Sequence, residues 1–159
     1  MTVPQQKPGK SKQDYQTPPE LLRAIERDFS VREWYCDLAA DFQNRIVTRF
    51  LGAGSEYGED ALAAAWPSEG DRWLNPPFAN IEPWAAKCAA NRNGGRTFLL
   101  VPASVGSNWY EKHVHGIAHV VALSPRLTFV GESTPYPKDI VLAVFGPIRG
   151  GFSTWRWKP

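Results

Sequence analysis

Apolar residues fall along this chain in short blocks whose spacing alternates between helical and extended. Leu21, Leu22, Ile25 and Phe29 recur at helical spacing and predict a helix of about three turns. Thr17-Pro18-Pro19-Glu20 in front of it reads as a helix start, with Thr17 as N-cap, Pro18 at the first position and Glu20 three residues after the cap. Trp34-Tyr35-Cys36-Asp37 is short, apolar and closed by an acid and small residues, the way a buried parallel strand ends at a ligand-facing edge. Ile46–Leu51 is a second, weaker strand, and Gly52, Gly54 and Gly58 mark a loop after it. A short strand Arg72–Leu74 follows. The segment from Ile81 to Asn91 is helical, with Ile81, Trp84, Ala85 and Cys88 on one face, and Asn93-Gly94-Gly95 ends it. Arg96–Val101 and Ala118–Leu123 are continuous apolar strands around a helix Ser107–His113. Leu127–Val130 and Ile140–Phe145 read as a final strand pair.

Strands alternating with helices through short connections predict an α/β fold with a mostly parallel sheet. At 159 residues one domain is the simplest reading, long enough to bury a core without a metal or disulfide. The expected boundaries are a flexible basic arm at 1–13, a folded domain at 14–149 and an aromatic, basic tail at 150–159. The arm carries Lys7, Lys10 and Lys12 among prolines and polar residues, and the tail reads Trp155-Arg156-Trp157-Lys158.

The net charge of +2 excludes a protein held to DNA by bulk charge alone and leaves room for a local basic patch. There is no apolar run of membrane-spanning length, and the polar first residues lack the apolar centre of a signal peptide. The expected location is the cytoplasm, where Cys36 and Cys88 would be buried free thiols. His113, His115 and His119 cross a helix end and a strand start, so they would not converge on a metal, and no metal is expected.

Asn75-Pro76-Pro77-Phe78 is the sharpest chemical signal. Two prolines directly after a strand cannot extend it, because neither donates a backbone hydrogen bond. The stiff turn leaves carbonyl oxygens facing a cavity, beside the side-chain oxygen of Asn75 and the flat ring of Phe78. Convergent acceptors plus an aromatic plate suit a planar group bearing an NH2, such as the exocyclic amine of adenine. Fixed oxygens that meet positive charge developing on that nitrogen stabilise the transition state more than the ground state. An amine inside a duplex must first be flipped out, which gives Phe78 a stacking role.

With these residues in view, the chain resembles the phage-type DNA N-6-adenine methyltransferases (the phage Dam family) over most of residues 14–146. The matching pieces run in order: Tyr15-Gln16-Thr17-Pro18; Asp37-Leu38-Ala39-Ala40 with Asn44; Asp60-Ala61-Leu62 and Trp66; Trp73-Leu74-Asn75-Pro76-Pro77-Phe78 with Ile81, Trp84 and Lys87; and Leu100-Val101-Pro102-Ala103 with Trp109. The resemblance implies a Rossmann-like fold with helices on both faces of the sheet and S-adenosyl-L-methionine as methyl donor. It implies DNA as substrate and Asn75, Pro76, Pro77 and Phe78 as the catalytic motif. It also makes Tyr15 a cofactor contact and places Thr17 and Pro18 at the methionine end of the cofactor, Asp37 at its amino group or ribose, Ala39 and Ala40 at a close backbone approach, and Asp60 at the adenosine end. The chain departs from the broader methyltransferase pattern in having no glycine-rich loop after Asp37.

Aromatics alternating with cations make Trp155, Arg156 and Lys158 of the tail candidate DNA contacts, with Lys12 of the basic arm and Arg126 at a strand end as further ones. The same pocket chemistry suits two other amines, an RNA adenine or a protein glutamine amide. A third reading is a non-catalytic DNA-binding protein on a degenerate methyltransferase scaffold. The loop Glu132–Lys138 and the tail are the places where sequence recognition would lie.

Overall fold

A computed structural model describes residues 15–159. The elements are α1 (Pro19–Asp28), β1 (Trp34–Asp37), β2 (Asp71–Leu74), α2 (Glu82–Ala90), β3 (Thr97–Pro102), α3 (Asn108–His113), β4 (His119–Ser124), β5 (Ile140–Phe145) and β6 (Gly151–Arg156). They form a mixed α/β fold on one six-stranded sheet of order β1-β2-β3-β5-β4-β6. β1, β2 and β3 pair parallel, as do β4 and β6, while β5 lies antiparallel between β3 and β4. The sheet is therefore mixed rather than mostly parallel. The long irregular segment 125–139 returns the chain so that β5 runs back antiparallel between β4 and β3.

Helices cover both faces, because the fully buried strands alternate their side chains between two apolar layers. Phe98 and Leu100 of β3 pack with Trp73, Leu142 and Val144 under Leu21, Ala24 and Ile25 of α1. Leu99 and Val101 face the other way, toward Ala85, Cys88 and Ala89 of α2 and Tyr110 of α3. In α1 and α2 the buried positions fall three and four apart, which turns a single stripe of each helix to the sheet.

Four local expectations are corrected. Pro18, not Thr17, occupies the N-cap of α1, and no side chain caps that helix. Ile46–Leu51 forms only an isolated parallel bridge between Asp37 and Phe50, because its backbone bends away to wall a cavity. Leu127–Val130 is irregular, since β5 finds both its partners in β3 and β4. The segment set apart by composition at 150–159 contributes β6, an edge strand of the same sheet.

That edge is anchored by its indoles. Trp155 packs edge-on against Phe29 at 5.3 Å and donates its ring N–H to Asp28, and Trp157 is buried with its N–H on the Pro125 carbonyl. The arm at 1–13, with Lys12, lies outside the described residues. Among the described residues no helix is long and apolar enough to cross a membrane.

Candidate active site

The C-terminal ends of β1, β2, β3, β4 and β6 open on one rim of the sheet, where ligands collect in open α/β folds. A cavity of about 790 Å³ lies there, at the ends of β1 and β2. Tyr15, Thr17, Asp37, Ala39, Ala40, Asp60, Asn75 and Pro77 all line it. Proximity in space thus unites residues scattered over sixty positions of sequence.

Asn75 follows β2 directly, and its amide orientation is determined by its neighbours. Nδ2 donates to the Tyr15 carbonyl at 2.7 Å and to the Thr17 hydroxyl at 3.0 Å. A carbonyl can only accept, so the nitrogen must face Tyr15. Oδ1 is left buried and without a hydrogen-bond partner. An unmet buried acceptor costs about 1–3 kcal/mol, a penalty that a ligand N–H would remove.

The other members of the turn are placed differently. Pro76 is buried and does not line the cavity, whereas Pro77 is exposed on its wall. Phe78 also stands off the cavity. It joins Tyr15, Phe129 and Tyr136 in a four-ring cluster, stacked on Tyr15 at 5.8 Å and edge-on to Tyr136 at 5.7 Å. Phe129 is buried within the cluster, and Tyr15, Phe78 and Tyr136 are half-buried around it. Pro18 is buried at the start of α1, and Pro19 rather than Pro18 meets the cavity.

Asp37 ends β1 with its carboxylate buried. Oδ1 accepts from Ala39 N–H at 3.3 Å and Oδ2 from Ile46 N–H at 3.1 Å, which ties the β1 end to the wall segment. Burial pushes its carboxyl up to about 6, against the lowering effect of those two hydrogen bonds. Asp60 is exposed and caps a turn through Leu62 and Ala63 N–H groups. Asn44, part of the family resemblance, lines the same wall, whereas Asp41, Arg45 and Glu59 were not singled out in the sequence. Asp41 and Asn44 close a tight turn on each other, and Arg45 and Glu59 border the same space. An Asp-x-x-Asn spacing is the cue that could have revealed this turn.

Among the described residues no group of three or more His, Cys, Asp and Glu side chains could hold a metal. His113 faces Glu82 at 3.7 Å. Both cysteines are buried and free, and burial raises the Cys36 thiol to about 12.

A family model described as DNA N-6-adenine-methyltransferase (Dam) matches residues 5–141. The chain belongs to the DNA N-6-adenine-methyltransferase (Dam) family. No curated protein and no solved structure matches it. The Dam match spans every cavity-lining residue named above, the Asn75–Phe78 turn and the ring cluster, and it ends within β5. β6 and its indoles lie beyond it. Of the cations set apart as DNA contacts, Arg126 pairs with Asp139 at 3.1 Å and Lys158 lies 3.5 Å from Glu20. Arg156 is exposed at the rim end of β6, with no such partner among the described residues.

Proposed function

We propose that this chain transfers a methyl group from S-adenosylmethionine to the exocyclic amine of an adenine flipped out of DNA. The observation that carries the reading is the buried, unpartnered Oδ1 of Asn75, aimed by two hydrogen bonds and set beside a large cavity.

The cavity suits the cofactor in size, charge and lining. Its volume of about 790 Å³ falls within the common range for small-molecule sites. Asp37, Asp41, Glu59 and Asp60 outnumber Arg45 around it, a balance that favours a cationic ligand. Leu51, Trp73 and Trp84 offer apolar surface for a purine, and Ala39 and Ala40 leave the backbone accessible. In this reading Tyr15, Asp37, Ala39, Ala40 and Asp60 hold the cofactor, while Thr17, whose hydroxyl is taken by the Asn75 amide, and Pro18 support that wall. When bound, S-adenosylmethionine supplies an electrophilic methyl group.

The protein's own part is to make a poor nucleophile attack. The adenine amine shares its lone pair with the ring. Accepting its N–H groups at Asn75 Oδ1 and at a carbonyl of the Asn75-Pro76-Pro77 turn favours a tetrahedral nitrogen with a free lone pair. As the N–C bond forms and the donor's S–C bond breaks, its electron pair remaining on a neutral thioether, the nitrogen becomes positive and the same oxygens hold it more tightly. Asn75 has no basic atom, so the surplus proton leaves to water. Phe78, backed by Tyr15, supplies the surface on which the flipped base stacks. The duplex lies along the rim toward β4 and β6, where Arg126, Arg156 and Lys158 meet its phosphates beside the anchored Trp155, with Lys12 a further contact from the arm.

Asn75→Ala is the direct test. Nucleoside mass spectrometry of treated DNA should show N6-methyladenine lost, while calorimetry shows cofactor affinity kept within about twofold. Undiminished methylation by that variant overturns the mechanism.

A further inference from the structure

The strap that precedes α1 does more than line the cavity. Thr17 is buried, yet it caps nothing: its hydroxyl takes an N–H of Asn75 at 3.0 Å, and the Tyr15 carbonyl takes the other at 2.7 Å. Between them, Gln16 accepts from Val130 N–H at 3.1 Å, which clamps the strap to the loop after β4. The Tyr15 ring is stacked on Phe78. One three-residue segment thus grips the oxygen-bearing amide and the aromatic plate of the same turn.

We propose that Thr17 is a positioning residue for the methylation reaction: the Tyr15 carbonyl fixes which amide atom faces the strap, and the Thr17 hydroxyl, taking a second N–H, holds the Asn75 amide in place so that Oδ1 meets the target amine. The inference rests on the reading of Asn75 given above. An Asn amide has two orientations related by a half-turn, and they offer opposite chemistry to a ligand. With Oδ1 outward the site accepts from an amine. With Nδ2 outward it presents donors to donors and repels one. The Tyr15 carbonyl anchors only one of the two amide protons. Thr17 anchors the second, and burial makes an unmet N–H there costly. The arrangement also explains why a Thr-Pro-Pro helix start lacks its cap: the hydroxyl is committed elsewhere.

Thr17→Val keeps shape and burial while removing the acceptor. One lost neutral hydrogen bond corresponds to a fall of roughly tenfold in kcat. KM for DNA and calorimetric affinity for S-adenosylmethionine should stay within about twofold, and Thr17→Ser should restore kcat. Asn75→Ala, run alongside, must abolish methylation; if it does not, the functional reading fails and this inference with it. If Asn75→Ala is inactive while Thr17→Val keeps full kcat, only the positioning role is overturned. If Thr17→Val loses cofactor affinity at unchanged kcat, Thr17 is a cofactor contact and the proposal is likewise overturned. A measurement on the unaltered protein covers the case of a variant that does not fold. In 15N-resolved NMR both Asn75 side-chain amide protons should exchange slowly with solvent, and rapid exchange of either contradicts the assignment.

Discussion

The Lys87 ammonium in α2 donates to the Leu62 carbonyl at 2.7 Å, across the gap between a helix and a cavity wall. It also bonds the carbonyls of Ala61 and Ala64 and sits over the Trp66 ring at 5.2 Å. Three carbonyls of one turn therefore depend on a single cation, whose pKa is lowered by partial burial. That turn carries Asp60, Ala61 and Leu62 to the cavity. Lys87→Met should cost about 1–3 kcal/mol of stability. It should also weaken S-adenosylmethionine binding several-fold, although Lys87 does not line the cavity. Calorimetry checks this, and an unchanged affinity would show that the wall stands without its tether.

Arg72 is fully buried in β2 and bonds no carboxylate among the described residues. Its guanidinium bonds four carbonyls instead, those of Pro67, Asn91, Gly95 and Arg96, joining the segment before β2 to the one between α2 and β3. Burial lowers its pKa, yet an arginine keeps its charge. Arg72→Met removes the side-chain donor from the Pro67, Asn91 and Gly95 carbonyls, Arg96 keeping the Arg72 backbone N–H, and should destabilise by about 3–5 kcal/mol in urea unfolding. Arg72→Lys should recover little of this, because an ammonium cannot span the same fork. A loss below about 1 kcal/mol for either variant would refute the clasp.

The raised carboxyl of Asp37 gives stability a defined pH dependence. Its ordinary value is 3.8 and burial raises it to about 6, so the native state holds this proton more tightly than the unfolded chain does. The contribution is complete below pH 4 and is lost as pH rises toward 6, by about 3 kcal/mol, and stays constant above. Unfolding free energies from pH 3.5 to 8 for the protein and for Asp37→Asn should differ by an amount that changes across that window. A difference independent of pH would contradict the shift.

On the basic side of the rim, β6 lies four strand spacings from β2, roughly 19 Å, or about five to six base steps along a duplex. Arg156 is unpaired there among the described residues, while Asp139 holds Arg126 at 3.1 Å. Arg156→Ala should weaken DNA binding and reduce its salt dependence by about one phosphate contact, with cofactor affinity unaltered. Asp139→Asn, by releasing Arg126, should strengthen DNA binding. Fluorescence anisotropy across a salt series reads both, and an unaltered slope for Arg156→Ala would remove DNA from this part of the rim.

Much of this protein is local in origin. Helical spacing marked α1 and α2, continuous apolar runs marked β3, β4 and β5, and two prolines after a strand marked the Asn75 turn, because each depends on neighbours a few residues away. What those patterns could not contain is pairing at a distance. The direction of β5, the place of β6 in the sheet and the bending away of Ile46–Leu51 follow from which strand edges remain open once the sheet assembles. The same holds for Thr17. Its sequence setting is that of a helix cap, and only folding brings it to an amide 58 positions on, where a buried N–H outcompetes the helix for its hydroxyl. Sequence alone determined which groups this chain can offer an amine. Tertiary structure decided which way they point, since orientation depends on hydrogen bonds between segments that meet only in the folded state.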